Sequence, residues 1–150
     1  MQGITIEKII KISNAVESIG EKAVFVGGAV AQFYVEHNET ENIRFTKDVD
    51  LVFEILSFGQ LERIRQKLSC AGFKQTMDNK VLCRFSFSGI LVDVMSVSEV
   101  GWAPGNIWFK NGFSKAKAKK IGDSEILLLL LSYYLVTKFS AFNDRGIADP

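Results

Sequence analysis

Apolar and polar positions along the chain follow two periods, and the switches between them mark out the elements. From Ile4 to Ile19, the residues Ile6, Ile9, Ile10 and Ile12 recur at near-helical spacing and predict an amphipathic opening helix. "KAVFVG" (Lys22 to Gly27) predicts a short strand. Gly27-Gly28 breaks it, and "AVAQFYVEH" then predicts a short helix. The polar "HNETENIRFT" lacks a period and predicts a loop. In "KDVDLVFEI" (Lys47 to Ile55) the period is two. Val49, Leu51, Phe53 and Ile55 fall on one face, and Asp48, Asp50, Val52 and Glu54 on the other. "SFGQLERIRQKLSCAG" returns to the helical period, with Leu61, Ile64 and Leu68 as its stripe and Gly72 as its stop. "FKQTM", "VLCRFSFSG" and "ILVDVMSV" predict three strands, with turns at Asp78-Asn79 and Ser88-Gly89. "VSEVGWAPGNIWFKNG" reads as a loop, and "FSKAKAKKIG" as a strand or extended arm. Asp123 or Ser124 caps a last long helix, expected to run to about Asp144.

This order predicts an α/β (α+β) domain with a mixed, partly antiparallel sheet flanked by helices. A regular βαβ alternation does not persist, which argues against a doubly wound parallel sheet. No repeat or linker divides the 150 residues, so one domain is expected. "ILLLLLSYYLV" (Ile126 to Val136) is strongly apolar but is about half the ~20 residues of a spanning helix. Bracketed by Glu125 and Lys138, it reads as a buried core helix, with no membrane partner.

Composition adds little. With 47% hydrophobic and 23% charged residues the chain is a folded globular one. A net charge of +1 shows no commitment to nucleic acid or membrane. Cys70 and Cys83 give neither a disulfide framework nor a metal spacing. They read as buried free thiols, which fits a cytoplasmic location, and no secretory signal opens the chain.

The acids change the picture. Asp48 and Asp50, at i and i+2 of one strand, point to the same side, and Asp93 lies in the middle of another apolar strand. If those strands are neighbours, three carboxylates converge, and they cannot all stay ionised without a counter-charge. Hard divalent cations resolve the conflict, and all-oxygen ligands suit Mg²⁺ or Mn²⁺. Gly27-Gly28, between strand and helix, lets backbone approach a phosphate. Each feature has a plain reading too: a tight turn for the glycines, a solvated edge for the acids. The apolar neighbours Val49, Leu51, Val52 and Phe53 favour a central strand and hence the ligand reading. Glu54 reads as solvated. Lys115, Lys117, Lys119 and Lys120 read as a solvated cationic edge, or as a track for an RNA backbone. Arg44 and Thr46 read equally as support for a nucleotide or metal site and as plain loop residues. His37, the one histidine, is assigned no role.

The order "FVGG", "TKDVDLVFE", "LVDVM" resembles the DNA polymerase β-like nucleotidyltransferase superfamily, over about Ala23 to Asp149. "RFTKDVDL" and the Lys138, Ala141, Arg145 spacing of "TKFSAFNDRG" are similar to the branch containing AbiEii-type abortive-infection toxins. The resemblance implies a nucleotidyltransferase fold and transfer of a nucleoside monophosphate from a nucleoside triphosphate to a hydroxyl. It implies Asp48, Asp50 and Asp93 as catalytic metal ligands, and Gly27, Gly28, Thr46, Lys138 and Arg145 as nucleotide contacts. Acceptors it implies are RNA (tRNA in particular) or a protein, in a toxin–antitoxin setting with an antitoxin partner. Members of that branch continue past the Arg, so the helix over 123–144 is expected to begin a C-terminal helical region that is cut short at Pro150. A small-molecule (sugar or antibiotic) nucleotidyltransferase and a non-catalytic binding module of the same fold stay open.

Overall fold

The computed structural model describes residues 3–34, 46–76 and 82–145, the last five by backbone only. Helix α1 (Ile6–Ser18) opens where the Thr5 hydroxyl accepts from the Lys8 N–H at 3.3 Å, and it buries Ile9, Ile12 and Val16. Strand β1 (Ala23–Val26) is buried throughout and runs into a 3-10 helix over Gly28–Phe33. After β2 (Asp48–Phe53) comes α2 (Phe58–Cys70), whose cap Ser57 accepts from Gln60 N–H at 3.1 Å. The strands β3 (Lys74–Gln75), β4 (Arg84–Phe87) and β5 (Ile90–Ser96) follow. Then come α3 (Ile107–Phe113), β6 (Lys117–Ile121), β7 (Ser124–Leu128) and α4 (Leu131–Arg145).

The seven strands form one sheet in the order β3-β4-β5-β2-β1-β7-β6. β2 is central, antiparallel to β1 and parallel to β5, and β1 is parallel to β7; the remaining pairs are antiparallel. This is the mixed α/β architecture that the pattern predicts. One face carries Val49, Leu51, Phe53, Val92, Val94, Phe25 and Phe85, all buried, and joins the stripes of α1 and α2 in a single apolar cluster. Strand β5 alternates strictly between buried and half-buried positions, so its second face, with Asp93, stays within reach of solvent.

Several expectations are corrected. The stretch read as a loop contains α3, started by Asn106, whose side chain accepts from the Phe109 N–H at 2.9 Å. Asp123 and Ser124 cap no helix. Ser124 opens β7, and the helix starts seven residues later at Leu131. "ILLLLLSYYLV" is therefore half strand and half helix: β7 inserts between β1 and β6, burying Ile126 and Leu128. An unbroken apolar run has no period, so nothing in it separates a buried strand from a buried helix. Cys70, the last residue of α2, is exposed rather than buried, whereas Cys83 is buried. The short helix after Gly27 is 3-10 rather than α. Arg44, His37 and the Asp78-Asn79 turn lie outside the described residues. Among the described residues no helix is long and apolar enough to cross a membrane.

At the end of the β2–β5 ladder, buried Ser96, opposite Phe53, extends the join: its hydroxyl accepts from Ile55 N–H at 3.1 Å and donates to Ile55 C=O at 2.9 Å. Ser96→Ala leaves both Ile55 groups unsatisfied and is expected to cost about 1–3 kcal/mol. Urea unfolding measures this, and a loss below a few tenths would show that water replaces the hydroxyl.

Candidate functional site

The site rests on register. Parallel pairing of β2 with β5 sets Asp50 directly beside Asp93 and Asp48 beside Leu91. Side chains at i and i+2 of β2 share a face with their ladder partners, so all three carboxylates meet on it. One oxygen from each of Asp48, Asp50 and Asp93 lies within 4.8 Å of the others, and all three residues are half-buried. An all-oxygen donor set still partly open to water (side chains of Asp48 and Asp93 27% and 13% exposed) fits a hard divalent cation. These residues can hold a divalent metal.

The glycine turn closes over Asp50. Val26 pairs with Asp50, so the chain leaving β1 passes its carboxylate immediately. Gly27 has φ +80°, and a Cβ there would stand 2.9 Å from Cγ of Asp50, closer than any side chain tolerates. A Cβ on Gly28 would collide with the Thr46 methyl and lie 3.7 Å from Nζ of Lys138. Thr46 is held in turn by donating to the Asp48 carbonyl at 3.3 Å. Gly27, Gly28, Thr46 and Lys138 are thus brought together with the acids. The turn is pinned from α4: the Tyr134 hydroxyl donates to Gly27 C=O at 3.0 Å, and its ring packs on Tyr34 with centroids 4.3 Å apart. Burial, then the charge on Asp50, pushes the Tyr134 hydroxyl up to about 12, so it remains a donor. Lys138 Nζ sits 5.7 Å from the Tyr134 ring centroid. Arg145 ends α4, and its side chain lies outside the described residues.

Sequence reasoning missed Arg84. It stands opposite Asp93 in the β4–β5 hairpin. Its guanidinium donates to Asp93 Oδ1 at 2.8 Å and Oδ2 at 3.1 Å, and to Asp48 Oδ2 at 2.9 Å. A signal existed. Ser88 and Gly89 both have positive φ, 53° and 81°, as in a two-residue hairpin turn, so Phe87 faces Ile90. Counting back from that pair puts Arg84 opposite Asp93.

The electrostatics follow from this crowding. Burial first, then the charges of Asp48 and Asp93, push the Asp50 carboxyl up to about 7, against the opposing pull of Lys138 and Arg84. Asp48 is also raised, by burial and by its bond to Asp93. Burial raises the Cys83 thiol to about 11, so it stays a neutral thiol near neutral pH.

No family model matches the sequence, and no curated protein matches it. Among solved structures the fold is similar to that of an antigenic nucleotidyltransferase-like protein from Paracoccidioides brasiliensis. The TM-score is 0.62 at 13% identity, over 93% of this chain and 68% of that one. The likeness is one of fold: this chain has a nucleotidyltransferase-like architecture.

A carboxyl held near 7 when folded, against ~3.9 when unfolded, binds its proton more tightly in the native state. Its favourable contribution is complete below about pH 4 and is lost as pH rises through about 7. Asp50→Asn removes that loss. In chelator the variant is expected to gain stability relative to the parent by on the order of 1–3 kcal/mol between pH 5 and pH 8. Unfolding curves at the two pH values test this; a variant that gains none would mark Asp50 as a structural acid.

Proposed function

We propose that this chain is a divalent-metal-dependent nucleotidyltransferase, moving a nucleoside monophosphate from a nucleoside triphosphate to a hydroxyl acceptor. The observation that carries the reading is the meeting of Asp48, Asp50 and Asp93 within 4.8 Å beside a glycine turn that leaves no room for a side chain. Bound at these carboxylates, Mg²⁺ or Mn²⁺ would supply charge neutralisation for the triphosphate and lower the pKa of the acceptor hydroxyl. The protein's own groups do the rest. Asp50 and Asp48 hold the cation, and Asp93 either shares it or accepts the hydroxyl proton as general base. Gly27 and Gly28 let backbone approach the phosphates, and the Lys138 ammonium beside Gly28 adds positive charge. Thr46 braces the start of β2 through the Asp48 carbonyl. Arg145 is proposed as a further phosphate contact from its motif position.

The acceptor reading rests on the sequence motifs: RNA, tRNA in particular, or a protein hydroxyl, with the chain as an AbiEii-like toxin restrained by an antitoxin. A second reading, a non-catalytic module of the same fold, is favoured by one observation. Arg84 already bridges Asp48 and Asp93 and can serve as a permanent counter-ion.

Labelled triphosphates with an RNA and protein acceptor panel separate the two. Mg²⁺ with a triphosphate should raise the melting temperature more than the separate additions combined, because phosphates and carboxylates repel without the ion. Asp50→Asn should abolish transfer, by at least about a hundredfold, while keeping the fold, since an amide is a poor ligand for a hard cation. An equal thermal shift in excess chelator, or transfer at the parent rate by Asp50→Asn, would favour the non-catalytic module or another chemistry.

A further inference from the structure

We propose that Arg84 is an exchangeable counter-ion that makes metal binding depend on triphosphate binding. The inference deepens the nucleotidyltransferase reading and rests on it. Three of its observed hydrogen bonds engage Asp48 Oδ2 and both oxygens of Asp93. A divalent cation shared by Asp48, Asp50 and Asp93 must take an oxygen of Asp93, and Arg84 already engages both of them. Guanidinium and cation therefore compete: both cannot take full coordination from Asp48 and Asp93, and at such range their like charges repel.

Arg84 has the means to exchange. Its backbone is fixed in β4, between β3 and β5, while its side chain is 23% exposed, so the head group can leave without moving the ladder. Once it leaves it needs an anion. A planar fork suited to two parallel bonds fits a phosphate as well as a carboxylate, and the polyphosphate of the substrate brings such oxygens to this face. Arg84 then trades Asp48 and Asp93 for the triphosphate. In this arrangement it is a positioning and specificity residue: it favours polyphosphate over ligands that carry no second anionic group. By linkage, whatever affinity the triphosphate gains from the metal, the metal gains from the triphosphate, and Arg84 sets a share of that factor.

The test is calorimetric titration of Mn²⁺ into the folded chain, with and without a non-hydrolysable nucleoside triphosphate, for the parent, Arg84→Gln and Arg84→Lys. Arg84→Gln should bind Mn²⁺ without nucleotide on the order of tenfold more tightly than the parent. The enhancement of Mn²⁺ binding by the triphosphate should shrink by a similar factor. Arg84→Lys keeps a charge but loses the fork and should fall between the two. It also carries the test if the Gln variant does not fold, since tighter Mn²⁺ binding by the folded Lys variant is still expected. If the parent shows metal–nucleotide coupling and the folded variants bind Mn²⁺ unchanged or more weakly, Arg84 is a fixed support for Asp93 and the proposal is overturned, with the nucleotidyltransferase reading intact. If no chain binds Mn²⁺ even with triphosphate, the metal-dependent reading fails and the proposal with it.

Discussion

Three carboxylates with oxygens within 4.8 Å of one another, on a half-buried sheet face, must be neutralised, and the local structure is organised around that requirement. The parallel register of β2 with β5 creates the crowding by setting Asp50 beside Asp93. Arg84 relieves two of the three acids through its fork, and Lys138 lies on the side of the glycine turn. Asp50 is left as the least compensated acid, with its carboxyl pushed up to about 7 by burial and by its two neighbours. A protein selected for stability alone would fill these positions with the valines and leucines that surround them. Retaining the acids costs folding free energy and leaves a set of oxygens that can hold a divalent cation.

The same constraint explains neighbouring choices. Gly27 must lack a side chain because Asp50 occupies the space, and Gly28 because Thr46 does. Tyr134 reaches from α4 to hold the Gly27 carbonyl, which ties the position of the glycine turn to the helix that also delivers Lys138. The opposite face of the central strands, with Val49, Leu51, Phe53, Val92 and Val94, is buried in the same apolar cluster as the stripes of α1 and α2, so the site is built on the core of the fold. Arg84 gives the cluster a second character, that of an internally paired network.

Much of this was legible in the sequence. The i, i+2 spacing of Asp48 and Asp50 in a period-two run predicts a shared face, and Asp93 in a strand of the same kind predicts a third ligand. Arg84 is reachable by hairpin arithmetic from Ser88-Gly89, although an isolated Arg in "CRFSF" carries no motif. The break between β7 and α4 was not legible. Ile126 to Leu131 is apolar at every position, although only Ile126, Leu128 and Leu129 are buried and Leu131 is exposed, so the run carries no period that distinguishes strand from helix. Helix α3 spans only seven residues and contains Gly112, and Pro104 with the neighbouring glycines gives the stretch the composition of a loop. Roles for Lys138 and Arg145 came from motif likeness, and the geometry now puts Lys138 beside Gly28.

The most direct measurement of the central claim is anomalous diffraction from crystals grown with Mn²⁺ and a non-hydrolysable nucleoside triphosphate. The account predicts a manganese peak within bonding distance of carboxylate oxygens of Asp50 and at least one of Asp48 and Asp93, with phosphate oxygens completing its shell. Triphosphate bound elsewhere, with no manganese at these acids and Arg84 still bridging Asp48 and Asp93, would contradict it.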